Sequence, residues 1–434
     1  MPNNHPFQVV GWAEVKLDDI CELISRGKAP QYVNRSNIRA IGQRCVREIG
    51  FQSEEARFQD HKKVDGHLFA KAGDVLLNST GTGTIGRSCI FNAESDYIVD
   101  GHVAVVRPNQ EKCNSSLLNS LFKSPWLQQY LEVYCYTGST NQIELSASAV
   151  ANIKLSLPTA TEQRTIAAIL DSVDEAIRQT EAVIAKLRQV KAGMLHDLLT
   201  CGLDENGELR DPIRHPEQFK DSPLGRIPKE WEVNSFDSVC EKIQDGTHFS
   251  PTSTFGPCMY ITSKNIRFGF MELTNVGWIS IKEHDAIYKR CDVKPGDVLL
   301  TKDGANTGNA AINTIDKPFS LLSSVALIRC NEKKLHNMFL LHTLLSPLFQ
   351  KNINDSMSGN AITRLTLNKI KEFQFAVPPL QEQYLISKSL AEIQGKIDDE
   401  ARLSGKLIII KHGLMRDLLT GTIRVPANLL EATP

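Results

Sequence analysis

A chain of 434 residues is too long for one hydrophobic core, and its 41% hydrophobic and 23% charged residues describe an ordinary folded protein of two or more domains. It has no run of about 18 apolar residues and no basic-then-apolar leader, so neither a membrane span nor a secretory signal is expected, and a cytoplasmic protein is. A formal charge of -1 gives no global pull on a polyanion, so any nucleic-acid binding must rest on local basic clusters or on another subunit.

Residues 1–157 predict a globular α+β unit. Trp12-Ala-Glu-Val-Lys-Leu-Asp18-Asp-Ile-Cys21 opens it. Lys71-Ala-Gly73-Asp74-Val75-Leu76-Leu77 reads as a turn and then a buried strand, Ala104-Val-Val106 as a further strand, and Ser115 to Glu132 as one helix. Residues 158–200 carry a heptad seam, with Ile166, Leu170, Val173, Ile177, Thr180, Ile184, Leu187, Lys191, Met194 and Leu198 at alternating spacings of four and three. Thr159-Ala-Thr-Glu162 has the spacing of a capping box, and Gly202 stands where a left-handed residue ends a helix. Residues 201–228, rich in proline, glycine and charge, form a connector that crosses back to a second unit.

That second unit, residues 229–377, repeats the first. Trp231 to Cys240 aligns without a gap on Trp12 to Cys21, and Lys294-Pro-Gly296-Asp297-Val298-Leu299-Leu300 on Lys71 to Leu77. Val325-Ala-Leu-Ile328 reads as a strand and Leu335 to Asn352 as one helix. Residues 378–420 then repeat the seam with Ile386, Leu390, Ile393, Ile397, Glu400, Ser404, Leu407, Lys411, Leu414 and Leu418, starting at Pro378-Pro379 and stopping before Gly421; residues 421–434 are a tail. Both seams keep Glu-Gln near the start, at Glu162-Gln163 and Glu382-Gln383.

Each long helix should run about 40 residues, roughly 60 Å, and cannot bury its own seam. The two should therefore pack on each other, through Ile166, Leu170, Val173, Ile177, Ile184 and Leu187 on one and Ile386, Leu390, Ile393, Ile397, Leu407 and Leu414 on the other. A twofold axis between the repeats makes the helices antiparallel with a globular unit at each end, which suits a ligand of two half-sites such as duplex DNA, with centres about 34 Å apart. The matched polar interruptions, Thr180 with Glu400 and Lys191 with Lys411, read first as a solvated flank, with Val190 and Ile410 taking the core place, and second as register-setting members of the seam. Gly193 and Gly413, inside helices, point either to close approach by another backbone or, equally, to tolerance near a fraying end.

The ten cysteines lie far apart, without Cys-x-x-Cys or a histidine at ligand spacing, so they read as reduced structural thiols, and no metal site is expected. Base edges are told apart by side chains with paired donors and acceptors, and three loops in each copy are rich in them. In the first unit these supply Lys28, Arg35 and Arg39; Asn78, Ser79, Thr80, Thr82, Thr84 and Arg87; and Ser139, Asn141 and Gln142. In the second they supply His248, Lys264, Asn265 and Arg267; Thr301, Lys302 and Asn306; and Asn360, Thr363 and Arg364. Taken singly, such Gly/Ser/Thr/Asn loops are also what plain turns look like.

Asp221-Ser-Pro-Leu-Gly225-Arg-Ile-Pro228-Lys-Glu-Trp231 opening a unit, Gly296-Asp-Val-Leu-Leu-Thr-Lys-Asp-Gly304 within it and Pro378-Pro-Leu-Gln-Glu-Gln383 closing it resemble the specificity subunit of Type I restriction-modification enzymes. The resemblance covers nearly the whole chain. It implies two pseudo-twofold-related α/β target-recognition domains separated by two long antiparallel coiled-coil helices. It also implies partners: double-stranded DNA, two modification subunits that methylate adenine with S-adenosylmethionine, and restriction subunits that use ATP and Mg to translocate and cut. This chain would hold no cofactor and no catalytic residue. The first copy departs from the pattern, lacking the Ser-Pro-Leu-Gly entry before Trp12 and carrying Pro158-Thr-Ala-Thr161 for Pro-Pro-Leu-Gln.

Two other classes stay open on the residues alone. Gly81-Thr-Gly83-Thr-Ile-Gly86 matches a dinucleotide glycine pattern and would suit a nucleotide-binding enzyme, although Ser88-Cys-Ile-Phe after it reads as strand where that motif needs a helix N-terminus. A coiled-coil scaffold with protein-binding ends is the other. Val377-Pro-Pro-Leu380 lacks the amide or carboxylate of an amino-methyltransferase loop, and Asp297 with Lys302 has no counterpart of the lysine at Ser79, so neither methyl transfer nor nuclease chemistry is expected of this chain.

Overall fold

The computed structural model describes residues 9–432, apart from 95, 139–141 and 358–363. Its contacts divide into two compact units, 1–183 with 400–434 and 184–399. Each unit therefore contains one globular part, the start of one long helix and the end of the other.

In the first unit a four-stranded antiparallel sheet runs in the order Cys21–Arg26, Val103–Pro108, Val75–Asn78, Ser88–Ile90. Side-chain alternation makes it a partition. Val75, Leu77, Ala104 and Val106 face a helical core that includes Leu117, Phe122, Ile166 and Leu170. Leu76, Val103 and Val105 face a second core beneath a small sheet of Arg57–Phe58, Arg39–Ile41 and Tyr97–Val99. The second unit repeats this order with Cys240–Asp245, Val325–Cys330, Val298–Thr301 and Ala310–Ile312, with Val298 and Leu300 on one side and Leu299 on the other.

The duplicated Gly-Asp turn is the pin of each sheet. Gly73 (φ +88°) and Gly296 (φ +87°) take the left-handed conformation that glycine tolerates. The Asp74 carboxylate accepts the Lys71 N–H at 2.7 Å and pairs with Arg107 through Nε and Nη2 at 2.7 and 2.8 Å. Asp297 does the same with Lys294 N–H at 2.7 Å and Arg329 at 2.9 Å twice. Asp297 is thus a structural carboxylate.

Each expected single helix is two: Ser115–Lys123 then Pro125–Tyr130, and Asn337–Leu345 then Pro347–Met357. The cause is Ser-Pro. Proline drives the residue before it out of the helical region, and Ser124 (ψ 138°) and Ser346 (ψ 146°) sit in extended backbone between the two pieces. The connector also holds more structure than its composition predicts. Phe219–Ser222 pairs with Gly225–Pro228 as a hairpin, burying Phe219 and Ile227.

The long helices run Ala160–Thr200 and Leu380–Leu419. In the first unit Ile166 and Leu170 share a core with Leu418 and Met415, and Asp174 meets Lys411; as one helix ascends the other descends. In the second unit Leu198 shares a core with Ile386 and Leu390, and Lys191 meets Gln394. The segments are antiparallel in both. Gly202 and Gly421 end their helices at φ +64°.

Three expectations for the helices are corrected. Lys191 and Lys411 are half-buried members of the seam: Lys191 Nζ donates to Gln394 Oε1 at 2.6 Å and Lys411 Nζ lies 2.5 Å from Asp174 Oδ1, while Val190 and Ile410 are the exposed neighbours. Spacing decided this, because 191 and 411 follow the seam residues 187 and 407 by four. Thr180 is buried too, its hydroxyl satisfied by the Ala176 carbonyl of its own helix. A Cβ at Gly193 or Gly413 would meet nothing within 4 Å, so no backbone approaches either. The capping box is half formed: Thr159 Oγ1 accepts the Glu162 N–H at 3.4 Å, but the Glu162 carboxylate pairs with Arg424 instead.

Candidate nucleic-acid interface

In each unit the first two of the three loops flagged by sequence leave the same end of the four-stranded sheet. Arg26, Asn78 and Val103 mark that end in the first unit, and Asp245, Thr301 and Val325 in the second. A bridge from Thr80 to Glu144 ties two of the loops together, and one from Asp303 to Arg364 does so in the second unit.

Burial sorts the sequence candidates. Lys28, Arg35, Thr82, Gln142, His248, Lys264 and Arg364 are exposed. Arg39, Thr80, Thr84, Arg87, Arg267 and Asn306 are partly so, with Arg39 lying over the Phe58 ring. Ser139, Asn141, Asn360 and Thr363 lie outside the described residues. Asn78, Ser79, Asn265, Thr301 and Lys302 are all 3% exposed or less and cannot face a groove. They belong to the frame that carries the loops. Asn78 N–H donates to the Arg87 carbonyl and Thr301 N–H to that of Asn309, and Asn265 closes a capping box with Thr262.

Lys302 is the sharpest case. Its ammonium is 1% exposed, 3.4 Å from Asp245 Oδ2 and 3.3 Å from Asp303 Oδ2. A buried ammonium persists only beside such partners. Arg290 Nη2 donates to Asp245 Oδ1 at 2.6 Å, and Arg364 Nε lies 3.0 Å from Asp303 Oδ1. Lys302, Asp245, Arg290 and Arg364, together with His248, line a shallow cleft of about 370 Å³.

The first unit is built otherwise. Arg26 donates to the Gly101 carbonyl through Nε and Nη2 at 3.0 and 2.7 Å, and through Nη1 to Glu144 Oε2 at 2.6 Å. That hydrogen bond holds the Glu144 carboxyl below its ordinary range. Thr80 is linked to Gln43 and, at 2.8 Å, to His102 Nδ1. Glu144, His102 and Arg290 were not candidates from sequence. Glu144 and His102 stand at or beside strand ends and Arg290 just after the helix Ile281–Tyr288, places whose neighbours only the fold reveals.

The glycine loop reads as the sequence predicts. Gly81, Gly83 and Gly86 have positive φ, and the chain passes into the strand Ser88–Ile90 paired with Val75–Leu77, so the loop presents no helix N-terminus to a phosphate. Among the described residues no group of three or more His, Cys, Asp or Glu is placed to hold a metal, and no helix is long and apolar enough to cross a membrane.

The family model described as the Type I restriction modification DNA specificity domain matches this chain twice, over residues 9–189 and 228–407. The MjaVIII specificity subunit of Methanocaldococcus jannaschii is 27% identical over 281 residues, 63% of either chain, so the match spans under two thirds of that relative. The putative MjaX specificity subunit of the same organism is 26% identical over 81% of this chain and 79% of its own. The EcoBI specificity subunit of Escherichia coli is 23% identical over 86% and 82%. In fold, a crystal structure of the Type I system S subunit from M. genitalium aligns over 96% of this chain and 98% of its own with a TM-score of 0.56 at 16% identity. With both copies of the domain matched over most of its length, the chain belongs to the Type I restriction-modification DNA specificity family.

Proposed function

We propose that the chain is the DNA-reading, non-catalytic subunit of a Type I restriction-modification complex, each globular unit reading one half of an interrupted duplex sequence. The observation that carries this reading is the duplicated frame itself: equal strand order and register in both units, with dissimilar polar loops leaving the same sheet end. A protein that reads two different half-sites needs that combination, one scaffold used twice with separate reading surfaces. Lys28, Arg35, Arg87, Gln142, His248, Lys264, Arg267 and Arg364 supply the positive and hydrogen-bonding groups that a chain of net charge -1 must concentrate locally.

Methyl transfer, with S-adenosylmethionine, and ATP- and Mg-dependent cleavage belong in this reading to modification and restriction subunits in the cytoplasm. Modification subunits dock on the long helices. Ile408, Ile409 and Ile410 are 38, 72 and 51% exposed, a run of apolar surface that a lone helix has no reason to show to water. The paired helices set the unread spacer between half-sites.

Exchanging residues 1–157 for those of a relative, followed by methylome sequencing, tests the reading. One half of the methylated sequence should change while the other stays, and a change in both halves would contradict independent reading. Adding one turn to both helices, about 5.4 Å, should widen the spacer alone.

A further inference from the structure

The two frames share strand order and register, and at the loop mouth the charges change sign. Register fixes the equivalence. Arg26 and Asp245 stand opposite Ala104 and Ala326 of the central strands. The residues after them, Gly27 and Gly246, are held so close that a Cβ would lie 1.9 Å from the Val99 and Leu321 carbonyl oxygens. Ser79 and Lys302 accept the N–H of Leu145 and Leu365 through their carbonyls, and Glu144 and Arg364 bridge Thr80 and Asp303. The set Arg26, Ser79, Glu144 thus becomes Asp245, Lys302, Arg364 on the same backbone.

The ion pairs that hold each frame do not behave this way. Asp74 with Arg107 and Asp297 with Arg329 keep sign, partner and geometry in both copies. A staple required by the fold stays the same when the fold is used twice, whereas the mouth set is free to differ because the frame does not need it in one sense.

What each mouth presents follows from the bonds. In the first unit Arg26 turns its donors inward and Glu144, with a side chain 51% exposed, offers an acceptor. In the second, Asp245 is 4% exposed behind Lys302, Arg290 and His248, and the exposed groups are the His248 ring and the guanidinium donors of Arg290 and Arg364, at 51, 49 and 44%.

Resting on the two-half-site reading above, we propose that this mouth set decides which base edge each unit accepts. Glu144 selects a base carrying an exocyclic amino donor, and Arg364 selects the N7/O6 acceptor pair of guanine. Arg26, Asp245 and Lys302 are positioning residues that hold those two readers in place.

The test uses the full chain purified with its modification subunits. The wild-type target is mapped by methylome sequencing, and a DNA library randomised in both halves is then methylated and sequenced. Arg364→Lys keeps a charge but loses the planar fork, and should lower the preference for guanine at one position of one half-site by about 10- to 100-fold, leaving the other half intact. Glu144→Gln should shift the preference at one position of the opposite half. Both side chains are about half exposed, so neither change threatens the fold. Unchanged base preferences in both variants overturn the proposal, as does a uniform loss of methylation across the library, which marks a phosphate contact or a structural role. A wild-type complex with no bipartite target would instead defeat the reading beneath it.

Discussion

Arg210 closes the second unit, and its removal is the sharpest test of how the units are held. The chain turns at Gly202 after the first long helix, and Arg210 returns to the start of the second: Nη1 reaches Glu382 Oε1 at 2.6 Å, and Nη2 reaches Oε2 at 3.2 Å. Both side chains are 8% exposed, and the remaining donor to Glu382 is the Leu203 N–H at 2.8 Å. Arg210→Ala therefore strands a buried carboxylate with one neutral hydrogen bond, a loss of about 3–5 kcal/mol. The pair Arg424 and Glu162 closes the first unit at the matched glutamate, but Arg424 is 47% exposed, so water replaces it and Arg424→Ala should cost only about 1–2 kcal/mol. Urea unfolding followed by Trp231, fully buried in the second unit, in a background with Trp12, Trp126 and Trp278 changed to phenylalanine, measures the first cost as a midpoint shift of roughly 1–3 M. The double change Arg210→Met with Glu382→Leu should recover most of it. Equal costs for the two arginines, or a double variant no better than Arg210→Ala alone, would refute the argument from burial.

The seam pair Lys411 and Asp174, with side chains 18 and 30% exposed, should show the same asymmetry in weaker form: Lys411→Met alone costs about 1 kcal/mol, while Lys411→Met with Asp174→Leu is neutral or stabilising in urea unfolding. His342 is half-buried near Lys191 and His336, and desolvation first, then those charges, pushes its pKa from 6.5 down to about 4. The folded state thus prefers the neutral ring, so this contribution of about 2–3 kcal/mol is present above pH 6.5 and lost as pH falls toward 4; thermal melts of His342→Leu should be flatter across that window than those of the wild type. Ile409→Glu with Ile410→Glu should reduce capture of modification subunits at least about tenfold without moving either unfolding transition, and retained capture would place the docking face elsewhere.

What sequence could reveal was whatever repeats with a short period or is repeated whole. The heptad spacing fixed both long helices, and the unbroken apolar run Val75, Leu76 and Leu77 after a turn marked a strand buried on two faces, because one-dimensional patterning maps directly onto the face a side chain occupies. The paired Glu-Gln was visible as a repeat but not as a device: Gln163 ties the helix start to the Lys112 and Pro158 carbonyls, Gln383 to those of Lys334 and Pro378, and both glutamates wait for an arginine from a distant turn. Composition misled at the loops for a definite reason. Asn78, Thr301 and Lys302 are as polar as Thr82, Gln142 or Arg364, and only the sheet register separates residues that pin a loop from residues that the loop presents. Comparison of the two copies recovers part of that distinction from sequence alone. A position that keeps its chemistry in both, such as Asp74 with Asp297, serves the frame they share, and a position that inverts on an unchanged backbone, such as Arg26 with Asp245, is released from the frame to serve whatever the two units must do differently.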